Sequence, residues 1–99
     1  MTLEQTRKIV SIFSLAGVKF EGAIDQVVSL WYDCLEDIEF KFALHATKRL
    51  LKKETELFAN GLIAKVRIES KYLKEMYEID KNLIEDKKND NGRIGNGNR

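Results

Sequence analysis

The apolar positions of the chain repeat with a helical period almost throughout. Thr6, Ile9, Val10, Phe13 and Ala16 share one face, and Ile12 and Leu15 broaden it. Thr2, with Gln5 three positions later, has the form of a capping box, and Gly17 stands where a glycine would end the helix. The pattern therefore predicts a first helix over 3–16. Val18 and Phe20 anchor a short connection over 17–22. Ile24, Val27, Val28, Trp31, Cys34, Leu35 and Ile38 follow the i, i+3, i+4, i+7 series, which predicts a second helix over 23–35. Glu21 and Asp25 near its start suit the helix dipole. Phe40, Ala43, Leu44, Thr47, Leu50 and Leu51 give a third helix over 40–53 its face. Phe58 to Gly61 reads as a loop closed by the Asn60-Gly61 turn signal. Ile63, Val66, Ser70, Leu73 and Tyr77 then trace a long fourth helix over 62–84, with Leu62, Glu69 and Met76 at the border of the stripe. Residues 85–99 hold glycines, asparagines and charges with one aliphatic residue, Ile94, too little apolar surface to offset the entropy of ordering.

The chain has 99 residues, so there is room for one core: a helical domain over 1–84 and a disordered tail over 85–99. The fold class that follows is all-α, a small bundle of about four helices with a long C-terminal helix. Proline is absent, which agrees with it. No apolar run is long enough to span a bilayer, and the polar residues after Met1 do not have the form of a secretory signal. A single cysteine, Cys34, permits no internal disulfide. A reducing, cytoplasmic setting is expected.

The net charge is +1, which favours no class of partner. Its distribution is more informative. Residues 1–40 hold three basic and seven acidic side chains, a net of −4. Residues 41–99 hold fourteen basic and nine acidic, a net of +5. Contacts can thus be oriented by charge that the total hides.

Catalytic chemistry is sparse. His45, the one histidine, lies among Lys48 and Arg49 with no carboxylate partner nearby in sequence, and reads as a surface or boundary residue. Cys34 falls on an apolar stripe and reads as a small buried hydrophobe. No Cys or His pair has metal-ligand spacing, and the acidic turn at Asp33, Glu36, Asp37 and Glu39 lacks a calcium-loop pattern. The expectation is a protein that is not an enzyme and needs no cofactor or metal. The candidate contacts are Lys48, Arg49, Lys52 and Lys53, in a helix without an acidic residue. Lys65 and Arg67 at the start of the fourth helix join them, as do Lys87, Lys88 and Arg93 near the C-terminus. Such a set suits phosphate or an acidic protein, although a solvated helix face has the same composition. Tyr32, off the stripe and beside acidic residues, reads as an exposed interface residue, whereas Trp31 belongs to the core.

The order of these segments carries a resemblance. The second helix contains Leu30-Trp31-Tyr32, the third has Phe40, Ala43-Leu44, Ala46 and Leu50, and the fourth opens with Ile63-Ala64-Lys65-Val66-Arg67. Over about residues 3–70 the chain resembles the replicative helicase loader/inhibitor proteins of bacteriophages of Gram-positive bacteria. It departs from them before the fourth helix, where the family loop carries prolines and this chain has Ala59-Asn60-Gly61. The resemblance implies a DNA-replication adaptor without ATPase activity. Such a protein binds a hexameric replicative helicase, loads or inhibits it, and delivers it to an origin-bound initiator. A compact N-terminal part would precede a C-terminal segment, here about 78–99, that contacts the helicase and folds on binding. Two other readings of the residues stand beside it, a small helical nucleic-acid-binding module and a self-associating structural protein.

Overall fold

In a computed structural model the chain forms four helices: α1 (Leu3–Leu15), α2 (Ile24–Leu35), α3 (Phe40–Lys53) and α4 (Leu62–Arg93). The structure describes the backbone of residues 1–93 and the side chains of residues 1–81. No strand occurs among the described residues, and the fold class is all-α. None of the described helices is long and apolar enough to cross a membrane.

Local chemistry accounts for the boundaries. Thr2 Oγ1 accepts from the Gln5 amide at 3.1 Å, and Gln5 Oε1 accepts from the Thr2 amide at 2.9 Å, which closes the capping box at the start of α1. At the other end Gly17 takes φ 105°, and two reversed hydrogen bonds form. The Val18 amide donates to Phe13 O at 3.0 Å and the Gly17 amide to Ser14 O at 3.1 Å. This is a Schellman motif, with its apolar contact supplied by Phe13 and Val18, both buried. The reversal leaves Leu15 and Ala16 in solvent, so the predicted widening of the α1 stripe through Leu15 does not occur.

The helices form a four-sided arrangement. α1 packs on α2 and α3, and α4 packs on α3 and α2. Among the described residues the diagonals α1/α4 and α2/α3 make no close backbone approach. Ile9, Val10, Phe13, Val28, Trp31, Leu35, Ala43, Leu50, Leu62 and Val66 fill the space between them. The Trp31 ring packs against Phe13 and Phe20, at centroid distances of 5.7 and 5.8 Å. A smaller cluster of Phe42, Ala46 and Leu73 lies between α3 and α4. Phe42 is off the predicted α3 stripe. It is buried because α4 runs far enough to cover it, and Tyr77 meets its ring edge-on at 5.7 Å. Leu62, predicted at the border of the α4 stripe, is wholly buried. Ile24 is largely exposed, and Cys34 is half-buried rather than buried.

α4 is longer than its pattern predicts. It continues past Ile84 to Arg93, and its 32 residues correspond to about 48 Å. No proline interrupts it, and its first glycine is Gly92. The last part of the predicted tail, 94–99, lies outside the described residues. Leu73 is the last buried side chain of α4 among those described and Tyr77 still meets Phe42, so about 24 Å of helix extends beyond the packed part. The radius of gyration is 18.4 Å, against about 13 Å for a compact chain of this length. The projecting helix accounts for the difference.

Candidate interaction surfaces

The basic candidates divide into two groups once the helices are assembled. Glu69, on the face of α4 turned toward α3, is buried to nine-tenths of its side chain. Its carboxylate accepts from Arg49 Nε at 2.6 Å and from Lys53 Nζ at 3.1 Å. Burial pushes the Glu69 carboxyl up, but the two hydrogen bonds and the charges behind them outweigh it. Its pKa lies below the ordinary glutamate value. Arg49 also places its guanidinium over the Tyr72 ring, 5.8 Å from the centroid. Arg49 and Lys53 therefore hold α3 against α4.

Arg67 does the same work between α4 and the end of α2. Its Nη1 donates to the Cys34 carbonyl at 2.6 Å and to Asp37 Oδ1 at 2.9 Å, and its Nη2 donates to Asp37 Oδ2 at 3.0 Å. The Cys34 carbonyl belongs to the last turn of α2, where carbonyls lack helical partners, so a cation from another helix serves as the cap. The guanidinium beside Asp37 holds that carboxyl below the usual aspartate value. Lys65 pairs with Glu54 at 2.6 Å across the α3–α4 loop. Four of the basic candidates, Arg49, Lys53, Lys65 and Arg67, thus have internal carboxylate partners. The apolar pattern marks Glu69 only as a border residue. It lies 16 and 20 residues from its partners, a separation that helical periodicity does not report.

Lys48 and Lys52 have no ion-pair partner among the described residues and point to solvent. With Lys41 and His45 they occupy positions i, i+4, i+7 and i+11 of α3, a nearly straight exposed line about 16 Å long. Lys41 Nζ stands 4.7 Å from the Tyr77 ring centroid and 5.1 Å from that of Phe42. Lys41, Lys74 and Lys81, together with Glu39, Glu78, Phe42 and Tyr77, line an open depression of about 700 Å³. A second depression, about 490 Å³, lies between the α1–α2 turn and the 54–61 loop, near Val18, Leu51, Leu57 and Phe58. Tyr32 is half-buried rather than exposed. The side chains of Lys87, Lys88 and Arg93 lie outside those described.

His45 is exposed on the α3 line, with no carboxylate hydrogen-bonded to it among the described residues. No group of three or more His, Cys, Asp or Glu side chains able to hold a metal occurs among the described residues. Comparison with protein-family models, with curated proteins and with solved structures finds no match for the chain.

Proposed function

We propose that this protein is a DNA-replication adaptor that docks on a hexameric replicative helicase and loads or inhibits it. The observation that carries the reading is the division of the molecule into a four-sided helical body and a helix that packs on it as far as Tyr77 and extends about 24 Å further. A body closed by its own ion pairs, with an arm outside it, suits a protein that works by docking. It also suits the two-part organisation that the Leu30-Trp31-Tyr32 and Ile63-Ala64-Lys65 segments imply by resemblance. In this reading the arm contacts the helicase, and the body is left for the initiator. The test is co-elution of the purified protein with helicase hexamers from several Gram-positive hosts in the presence of ATP. The reading requires a complex that is lost on deletion of residues 85–99. A protein that elutes alone with every hexamer refutes it.

One observation favours a second reading, nucleic-acid binding. The line Lys41, Lys48 and Lys52 faces solvent as a basic track, and near one end Lys74 and Lys81 join it beside Glu39 and Glu78. Three to five phosphate contacts would make the logarithm of the affinity for single strands fall with log salt at a slope of about −2 to −3.5. A Lys48→Glu/Lys52→Glu variant would lose most of that affinity, and wild-type binding indifferent to salt excludes the reading.

A further inference from the structure

α4 carries a second apolar stripe that the bundle does not use. Ile68, Tyr72, Met76 and Ile79 are 70%, 48%, 40% and 51% exposed. On a helix of 3.6 residues per turn they fall within an arc of about 80° and span about 16 Å. The buried residues Leu62, Val66, Ser70 and Leu73 occupy the neighbouring arc. The stripe is continuous along the helix, whereas exposed apolar side chains elsewhere are scattered: Leu3 and Leu15 at opposite ends of α1, Ile24 and Leu30 on different faces of α2, and Phe58 in the α3–α4 loop.

We propose that this stripe is the contact surface for a second copy of the chain, with the two α4 helices antiparallel about a twofold axis near residue 74. Charge selects this occupant and this direction. Lys71 and Glu78 lie on the same flank of the stripe, with Glu75 between them and the apolar residues. In an antiparallel pair, Ile68 meets Ile79 of the other copy and Tyr72 meets its Met76. Like flanks then face each other, which sets Lys71 opposite the Glu75–Glu78 segment, twice by symmetry. A parallel pair would turn this flank toward the body side of the other helix, which α3 covers, and Lys71 would lose that acidic counterpart. The antiparallel arrangement also puts the two bodies at opposite ends of the contact. Arg49 stands over the Tyr72 ring, 5.8 Å from its centroid, and Tyr72 remains exposed.

The size of the stripe sets the strength. The four exposed fractions amount to about two whole side chains of about 200 Å² each, hence about 800 Å² buried over both copies. That is below the roughly 1,200 Å² of stable interfaces, so the dimer is weak, with a Kd between about 10 μM and 1 mM. The inference is independent of the helicase reading, because deletion of residues 85–99 spares the stripe while substitutions in the stripe spare that segment.

Sedimentation velocity on the full chain from about 10 μM to about 1 mM tests it. The expected result is a concentration-dependent shift from monomer to dimer, abolished in the Ile68→Glu/Ile79→Glu variant. Lys71→Glu and Glu78→Lys should each weaken association about 3- to 10-fold, and the double exchange should restore it. Circular dichroism confirms that each variant is folded. Three results overturn the proposal: a wild-type protein that stays monomeric throughout, which leaves the stripe to a different protein; a dimer that tolerates the Ile68/Ile79 substitutions; or a double exchange that weakens association further.

Discussion

The Arg49–Glu69–Lys53 cluster predicts an asymmetry between its members. The Glu69 side chain is only 9% exposed, whereas Arg49 and Lys53 are 43% and 55% exposed. Remove the carboxylate charge with Glu69→Gln, and the two cations can regain water. The loss is then that of charge-assisted hydrogen bonds discounted for exposure, about 1–2 kcal/mol. Remove both cations with Arg49→Met/Lys53→Met, and the carboxylate is left buried and unpaired. That loss is about 3 kcal/mol or more, since desolvation is no longer offset.

Acid should separate the two further. In the wild-type protein the Glu69 pKa is lowered on folding, so its contribution is full above the ordinary glutamate value of 4.5 and is lost as pH falls through the lower, folded value. In the Arg49→Met/Lys53→Met variant burial acts alone and raises the folded pKa. The folded state then takes the proton first, and the variant gains stability as pH falls from 7 toward about 5, where the wild type is flat. Urea unfolding at a series of pH values reads both slopes. The reasoning fails if Glu69→Gln costs as much as the double variant at pH 7, or if the double variant does not gain stability on acidification.

Three further outcomes follow from single positions. Ser70 Oγ is buried with no hydrogen-bond partner among the described residues, so Ser70→Ala should stabilise the protein by about 0.5–1 kcal/mol in urea unfolding. Gly61 takes φ +81°, and among the described residues no heavy atom beyond its two chain neighbours lies within 4 Å of where a methyl group would stand, so Gly61→Ala should cost about 1 kcal/mol from backbone strain alone, and Gly61→Asn less, by the same urea measurement. Arg67→Met should lower the thermal midpoint more than Asp37→Asn, because Arg67 also caps the Cys34 carbonyl. Equal effects would show that the cap contributes nothing.

Much of the fold is legible in the chain because local rules and core packing agree. Thr2 with Gln5 and the glycine at 17 bound α1, and α3 runs from Phe40 to Lys53 as its stripe predicts. The end of α4 is not legible, because charges and asparagines without proline are compatible with helix and with coil alike. Phe42 escapes the pattern because its burial depends on Leu73 and Tyr77 of another helix. The candidate surface is legible only in part. The cluster of cations on α3 is visible in sequence, but which of them have partners is decided by Glu69 on α4. That choice separates Lys48 and Lys52, which face solvent, from Arg49 and Lys53, which hold two helices together.

Trp31 is the one tryptophan, and it sits between Phe13 and Phe20 on the α1–α2 side of the body. Its emission therefore monitors that corner alone. The far-ultraviolet ellipticity is weighted instead toward α4, whose 32 residues exceed the 13, 12 and 14 of the other helices. Beyond Tyr77 that helix should unwind without disturbing the indole. Optical melting curves recorded by the two signals should accordingly diverge, with ellipticity declining first and emission changing only when the bundle opens. The interval between them measures how far the arm melts as a separate unit.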